Sequence, residues 1–95
     1  MIAESRGLPS RKSAELLAVQ ALGWLAGNEA ALTRFMTLSG VGPDDLRAAA
    51  GDPGFLNGVL DFVASDEALL IAFASDSGVR PERVAAARRF LNGHD

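Results

Sequence analysis

Cysteine is absent from the 95 residues, and its absence excludes several classes of site. Without a thiol, the chain forms no disulfide, carries no cysteine nucleophile and ligates neither an iron-sulfur cluster nor a zinc-thiolate centre. The composition is therefore compatible with a reducing cytoplasm, and a hydrophobic core has to stabilise the fold without covalent links.

Long apolar runs are missing as well. No stretch approaches the roughly 20 consecutive apolar residues that a membrane-spanning helix needs. The first twelve residues, MIAESRGLPSRK, contain an acid and a proline where a signal peptide has a continuous apolar segment. We therefore expect a cytoplasmic protein that does not contact the membrane.

Histidine, the most frequent general base, occurs once, as His94 beside the last residue, where chain ends usually fray. Two acidic pairs, Asp44/Asp45 and Asp66/Glu67, fall in predicted first turns of helices, where capping of backbone amides explains them. No glycine spacing matches a P-loop or a dinucleotide-binding motif. We therefore predict no catalytic residue, no metal ligand, no cofactor-binding residue and no enzymatic activity.

The residues that are present have the composition of a folded domain. Hydrophobic residues make up 48% of the chain and charged residues 22%, close to the average for globular proteins. The net charge of -3 is unevenly distributed, because both ends are basic and the middle, 13–79, is acidic. We predict a flexible segment over 1–9, one helical domain over 10–92 and a C-terminal tail over 93–95.

An internal repeat with an offset of 38 residues organises the sequence. Residues 22–49 align with residues 60–87, and twelve of these 28 positions are identical. Other positions keep their chemical character, such as Trp24 with Phe62. We interpret 10–50 and 51–92 as two copies of one duplicated unit.

The first unit is predicted to contain three helices. The apolar residues of the first helix recur with the period of 3.6 residues, and this helix should begin between Ser10 and Ser13. Asn28 is placed to cap the second helix, and Gly40 to end it, because glycine adopts positive φ without a Cβ clash. Pro43 then opens the third helix, since a proline at the first position loses no useful amide.

The second unit repeats these signals. Pro53 starts its first helix, either Ser65 or Asp66 caps the second, Gly78 ends it and Pro81 starts the last one. No segment requires a strand.

The predicted fold class is therefore all-α, a compact bundle of about six helices from two tandem three-helix units. We expect an approximate two-fold axis between the units. The aromatic pairs Trp24/Phe62 and Phe35/Phe73 should face each other across it.

Two overlapping segments carry a family resemblance. They are GWLAGNEAALTRFMTLSGVGPDDLRAAAGDPGFLNGVLDF and FVASDEALLIAFASDSGVRPERVAAARRFL. Their Trp/Phe, Phe, Ser-Gly-Val-x-Pro and Asp-Pro-x-Phe-Leu positions resemble the small domain-of-unknown-function family 3572, a bacterial family common in alphaproteobacteria. The resemblance covers roughly residues 10–92. It implies no activity and no functional residue, because the family has no assigned activity.

Four arginines near the C-terminus are the candidate binding residues. They are Arg80, Arg83, Arg88 and Arg89. We predict a binding or adaptor module that contacts a protein partner through this basic edge and through exposed apolar residues. The partner is not identified by the sequence, and a homodimer that uses the acidic middle of a second copy is one form of it.

A DNA-binding helix-turn-helix over 74–91 is the alternative. The small, glycine and hydrophobic positions of that motif are filled by Ala74, Gly78, Val79 and Val84. The arginines would supply contacts to phosphates and bases. Pro81 and Glu82 at the turn, together with the acidic middle of the chain, disfavour nucleic acid as the partner.

Overall fold

Six α-helices and one 3₁₀-helix make up the regular structure in a computed structural model, which describes residues 10–91. The helices are α1 (Arg11–Ala26), α2 (Glu29–Ser39), a 3₁₀-helix (Pro43–Asp45), α3 (Leu46–Ala49), α4 (Pro53–Ala64), α5 (Glu67–Ser77) and α6 (Pro81–Leu91). That part of the chain contains no strand, so the predicted all-α class is confirmed. The predicted flexible segment over 1–9, the tail over 93–95 and His94 lie outside the described residues.

Polar side chains cap the starts of the helices. The Ser10 hydroxyl accepts a hydrogen bond from the Ser13 amide at 3.1 Å, and Ser13 Oγ accepts one from the Ser10 amide at 3.2 Å. Asn28 Oδ1 accepts from the Ala31 amide at 3.2 Å, and Asp66 Oδ1 accepts from the Leu69 amide at 3.1 Å. The cap of α5, predicted to be either Ser65 or Asp66, is Asp66.

Glycines end α2 and α5 in the same way. Gly40 and Gly78 have φ values of 76° and 69°, in the left-handed region that favours glycine. Their amides donate to the carbonyls of Met36 and Ala74, which satisfies an acceptor at each helix end. The predicted ends of both helices are confirmed.

The third helices of the two units differ. In the first unit a 3₁₀-helix begins at Pro43, as predicted, but only one turn of α-helix, Leu46–Ala49, follows it. Asp52 has extended backbone, with φ of -99° and ψ of 118°, and its carboxylate caps α4. The chain therefore leaves the third helix early, whereas α6 continues from Pro81 to Leu91.

Helices α1, α4 and α6 form the centre of the bundle, since each packs extensively against the other two. Helix α2 covers α1 and α4, and α5 covers α4 and α6. The buried face of α1 carries Ala14, Ala18 and Ala21, whose small side chains let the neighbouring helices approach closely. The largest fully buried side chains are those of Phe73, Leu25, Leu60, Val59, Val63 and Val84.

Two aromatic contacts join the units crosswise. The rings of Trp24 and Phe73 lie 5.5 Å apart between centroids, and those of Phe35 and Phe62 lie 5.3 Å apart. A shift of 38 residues along the sequence converts one pair into the other. The aromatic rings therefore meet in a different pairing from the like-with-like one expected. Superposition of the two units over their whole length stays a prediction.

Candidate interaction surfaces

Arg88 is engaged within the chain. Its Nε lies 2.8 Å from Asp61 Oδ1, so the side chain joins α6 to α4. Both side chains are partly exposed, at 42% for Arg88 and 59% for Asp61. Arg88 therefore contributes first to the packing of α6, and it is a poor choice for the centre of a binding site.

The other three predicted arginines are exposed and have no ion-pair partner within residues 10–91. Arg80 precedes α6, and its carbonyl accepts a hydrogen bond from the Arg83 amide at 2.9 Å. Arg83 lies in the first turn of α6, and Arg89 lies in its last turn. These guanidinium groups are available to a partner.

Helix α6 exposes two of these arginines in different directions. Val84 and Ala87, at 0% and 5% exposure, form the inward side against α1 and α4. Arg83 and Arg89 are six residues apart, so they point in directions about 120° apart around the helix axis. Exposed Glu82 lies between these directions. The structure thus separates the predicted edge into two exposed arginines without an ion-pair partner in residues 10–91, Arg83 and Arg89, and the engaged Arg88.

Of the two acidic pairs, Asp66/Glu67 provides a side-chain cap at a helix start and Asp44/Asp45 does not. Asp66 caps α5, and its other oxygen lies 3.6 Å from a guanidinium nitrogen of Arg34. That guanidinium lies over the Phe62 ring at 5.5 Å from the centroid. Asp44 and Asp45 lie in the 3₁₀-helix, whose start has no side-chain cap. Across residues 10–91, no group of three acidic or histidine side chains is placed to hold a metal ion.

Trp24 makes a polar contact that sequence reasoning missed. Its indole Nε1 donates to Asp76 Oδ2 at 2.8 Å, which ties the end of α1 to the last turn of α5. The indole is partly buried and packs edge-on against Phe73, in agreement with the packing role that the repeat indicated. The 52 residues between the two partners explain why no local pattern reveals the bond.

A second exposed surface lies on the outward side of α1. Leu16 and Val19 are 62% and 45% exposed although α1 already buries a full apolar stripe on its inner side. Two other large apolar side chains, Leu38 on α2 and Ile71 on α5, are 73% and 53% exposed. The helical spacing of Leu16 and Val19 was the available signal for this surface, because it places two apolar residues opposite the buried stripe.

No helix within residues 10–91 combines the length and the apolar character needed to cross a membrane. A family model described as "Protein of unknown function (DUF3572)" matches residues 11–94. No curated protein and no solved structure matches the chain.

Proposed function

Since the chain belongs to the family described as Protein of unknown function (DUF3572), we propose its function from its surface: a helical binding module for an acidic protein segment, with no chemistry of its own. The supporting observation is that Arg83 and Arg89 are exposed and unpaired within the described chain, on a helix whose inward side is buried. Exposed apolar residues would add to the contact.

The packing of α6 favours binding through its exposed arginines. Because α6 lies against both α1 and α4, its backbone is already ordered before a partner arrives. A preordered surface loses less conformational entropy on association than a flexible one. Arginine also suits the role, because its planar guanidinium donates two parallel hydrogen bonds to a carboxylate.

The charge pattern favours a protein partner with spaced carboxylates. Arg83 and Arg89 lie about 9 Å apart along the helix axis, from six residues at about 1.5 Å each. Glu82 between their directions would repel a continuous row of phosphates but leaves each arginine free to bind one carboxylate. The predicted partner therefore carries two separated acidic groups.

Capture followed by a measured affinity tests this proposal. The partner would be recovered from cell extract by photo-crosslinking with the full chain, identified by mass spectrometry, purified and titrated by calorimetry. The double reversal Arg83→Glu/Arg89→Glu should weaken binding at least about tenfold, or about 1.4 kcal/mol. The matched control is Arg47→Glu, an exposed arginine on α3, which should leave the affinity unchanged. Equal affinities of the double reversal and the wild type would overturn the proposal.

Arg88 is unsuitable for this test. A glutamate at position 88 would place a second carboxylate against Asp61, which now lies 2.8 Å from the Arg88 guanidinium. Loss of binding in such a variant would then report a displaced α6 as readily as a lost partner contact.

DNA binding through 74–91 is a second candidate, because α5 and α6 have the outline of a helix-turn-helix. Gly78 has the left-handed conformation at the turn, and Ala74 and Val84 are buried where that motif needs small and hydrophobic residues. Fluorescence anisotropy with a mixed-sequence duplex at about 50 mM salt distinguishes the candidates, since phosphate contacts are strong at low salt. Binding that the double reversal abolishes would favour DNA, and an unchanged anisotropy would exclude it.

A further inference from the structure

The outward side of α1 presents four residues in one row. Lys12, Leu16, Val19 and Gly23 follow one another at intervals of four, three and four residues, so they share one side of the helix. All four are exposed, and Leu16 and Val19 are the large apolar members. We call this row the α1 stripe. Its spacing is that of residues that pack against a second helix.

Gly23 in this row has no role that the described chain explains. It lies inside α1, its φ is not positive, and a Cβ added there would meet nothing within 4 Å. A glycine inside a helix destabilises it by roughly 0.5–1 kcal/mol relative to alanine. A close approach by another backbone is a use for such a glycine, and no other part of residues 10–91 makes that approach.

Charges of opposite sign lie at one end of the α1 stripe and beside its other end. Lys12 lies in the first turn of α1 and supplies the positive charge, because its neighbour Arg11 pairs with Glu15 at 3.8 Å. At the other end, the exposed carboxylate of Asp76 is held beside α1 by its hydrogen bond from Trp24. The last turn of α1 has no basic residue. A helix with these ends is complementary to a second copy of itself in the antiparallel direction, where helix dipoles also oppose.

We propose that the α1 stripe packs antiparallel against the α1 stripe of a second copy. In this symmetric pairing Leu16 contacts the partner's Val19, and Lys12 extends over the partner's Gly23 toward the partner's Asp76. The long side chain of one copy thereby fills the space that the glycine of the other leaves open. A two-fold axis repeats both contacts, as in most homodimers.

The dimer is weak, because its apolar centre consists of only two large side chains from each copy. We expect such a contact to bury less than the roughly 1,000 Å² that marks a stable interface. It uses α1 and not α6, so it stands or falls separately from the proposed binding of an acidic partner.

Sedimentation velocity of the full chain from about 10 µM to about 1 mM tests the pairing. We expect the average mass of the wild type to rise with concentration. Leu16→Glu should weaken dimerisation at least tenfold, whereas Leu38→Glu, the same change at a more exposed leucine on α2, should leave it intact. Gly23→Leu should also weaken it at least tenfold, although it replaces a poor helix former with a good one. A wild type that stays monomeric throughout overturns the proposal, as does an unchanged dimer in Leu16→Glu or Gly23→Leu.

Engineered cysteines test the antiparallel direction, because the chain has none of its own. Under mild oxidation the double variant Lys12→Cys/Gly23→Cys should give a disulfide-linked dimer. Lys12→Cys alone should not, because the two copies of residue 12 lie at opposite ends of an antiparallel pair. Equal cross-linking by the single and double variants would indicate a parallel arrangement and overturn the proposal.

Discussion

The third helices of the two units begin alike and end differently. Helix α6 and the 3₁₀-helix before α3 both start at a proline, each three residues after a left-handed glycine. Helix α6 then runs for 11 residues and buries Val84 and Ala87 between α1 and α4. Helix α3 has four residues and buries none.

The difference follows from the residues after the two alanines that both units contain, Ala48 and Ala49 in the first unit and Ala86 and Ala87 in the second. In the second unit Arg88 and Arg89 continue the helix, and Arg88 contacts Asp61 on α4. The offset places Ala50 and Gly51 at these positions of the first unit, and Asp52 and Pro53 then start α4. Local signals therefore determine where each helix begins. The number of residues before the next helix-ending signal determines whether the helix is long enough to pack against the core.

The largest expected difference between the units is at Val84 and its counterpart Leu46. Val84→Ala should destabilise the fold by about 2 kcal/mol, because it removes fully buried methyl groups and leaves a cavity. Leu46→Ala removes more carbon atoms, but from a half-buried side chain on the short α3, and should cost about 1 kcal/mol or less. Urea unfolding measures both, and the reverse order would contradict the assignment of α6 as the core helix.

The helix-ending glycines should behave alike in the two units. Gly40→Ala and Gly78→Ala each introduce a Cβ at positive φ, while the space around both positions is open. Only the backbone conformation is penalised, so each should cost about 1 kcal/mol. Urea denaturation of both variants measures the two losses of unfolding free energy. A difference between these losses greater than about 0.5 kcal/mol would show that the repeated signal acts differently in the two units.

These glycines belong to the part of the fold that the sequence predicts well. The Asn28 cap and the glycine ends were predicted, the start of α1 was limited to between Ser10 and Ser13, and the cap of α5 to Ser65 or Asp66. Each depends on hydrogen bonds within a few residues of chain. The length of α3 was not predictable, because Pro43, Asp44 and Asp45 indicate where the third helix of the first unit begins but not where it ends.

The contacts between distant residues were also beyond sequence reasoning. Trp24 with Asp76, and Arg88 with Asp61, become neighbours only when helices pack, and nothing along the chain ties one partner to the other. The four arginines were correctly expected near one helix. Which of them contacts a residue of a neighbouring helix, as Arg88 contacts Asp61 of α4, depends on how the helices pack.

The two crosswise aromatic contacts should differ in their contribution to the free energy of unfolding by about one hydrogen bond. Trp24 donates to Asp76, whereas the offset pairs these positions with Phe62 and Leu38, which have no such donor or acceptor. Trp24→Phe and Asp76→Ala should each cost about 0.5–1 kcal/mol. A double-mutant cycle in urea should give a coupling of similar size, because both changes remove the same bond. Additive effects would show that the bond does not contribute to stability.

The smallest effects should come from the arginines of α6. Arg88→Ala removes a partly exposed ion pair with no counterpart in the first unit, and we expect a loss of about 0.2–1 kcal/mol that decreases with salt. Arg83→Ala should change stability by less than about 0.5 kcal/mol, because no residue within 10–91 pairs with it. Thermal unfolding at low and high salt compares the two. An equal, salt-dependent loss in both variants would contradict the division between the engaged Arg88 and the unpaired Arg83.

Residue-resolved hydrogen exchange under native conditions tests most directly whether α6, unlike α3, is an integral part of the core. Amides within α6 should exchange only when the whole domain unfolds, because the inward side of this helix is buried against α1 and α4. Amides of α3 should exchange much faster, through local opening that leaves the core intact. Equal protection of the two helices, or faster exchange in α6, would contradict the account.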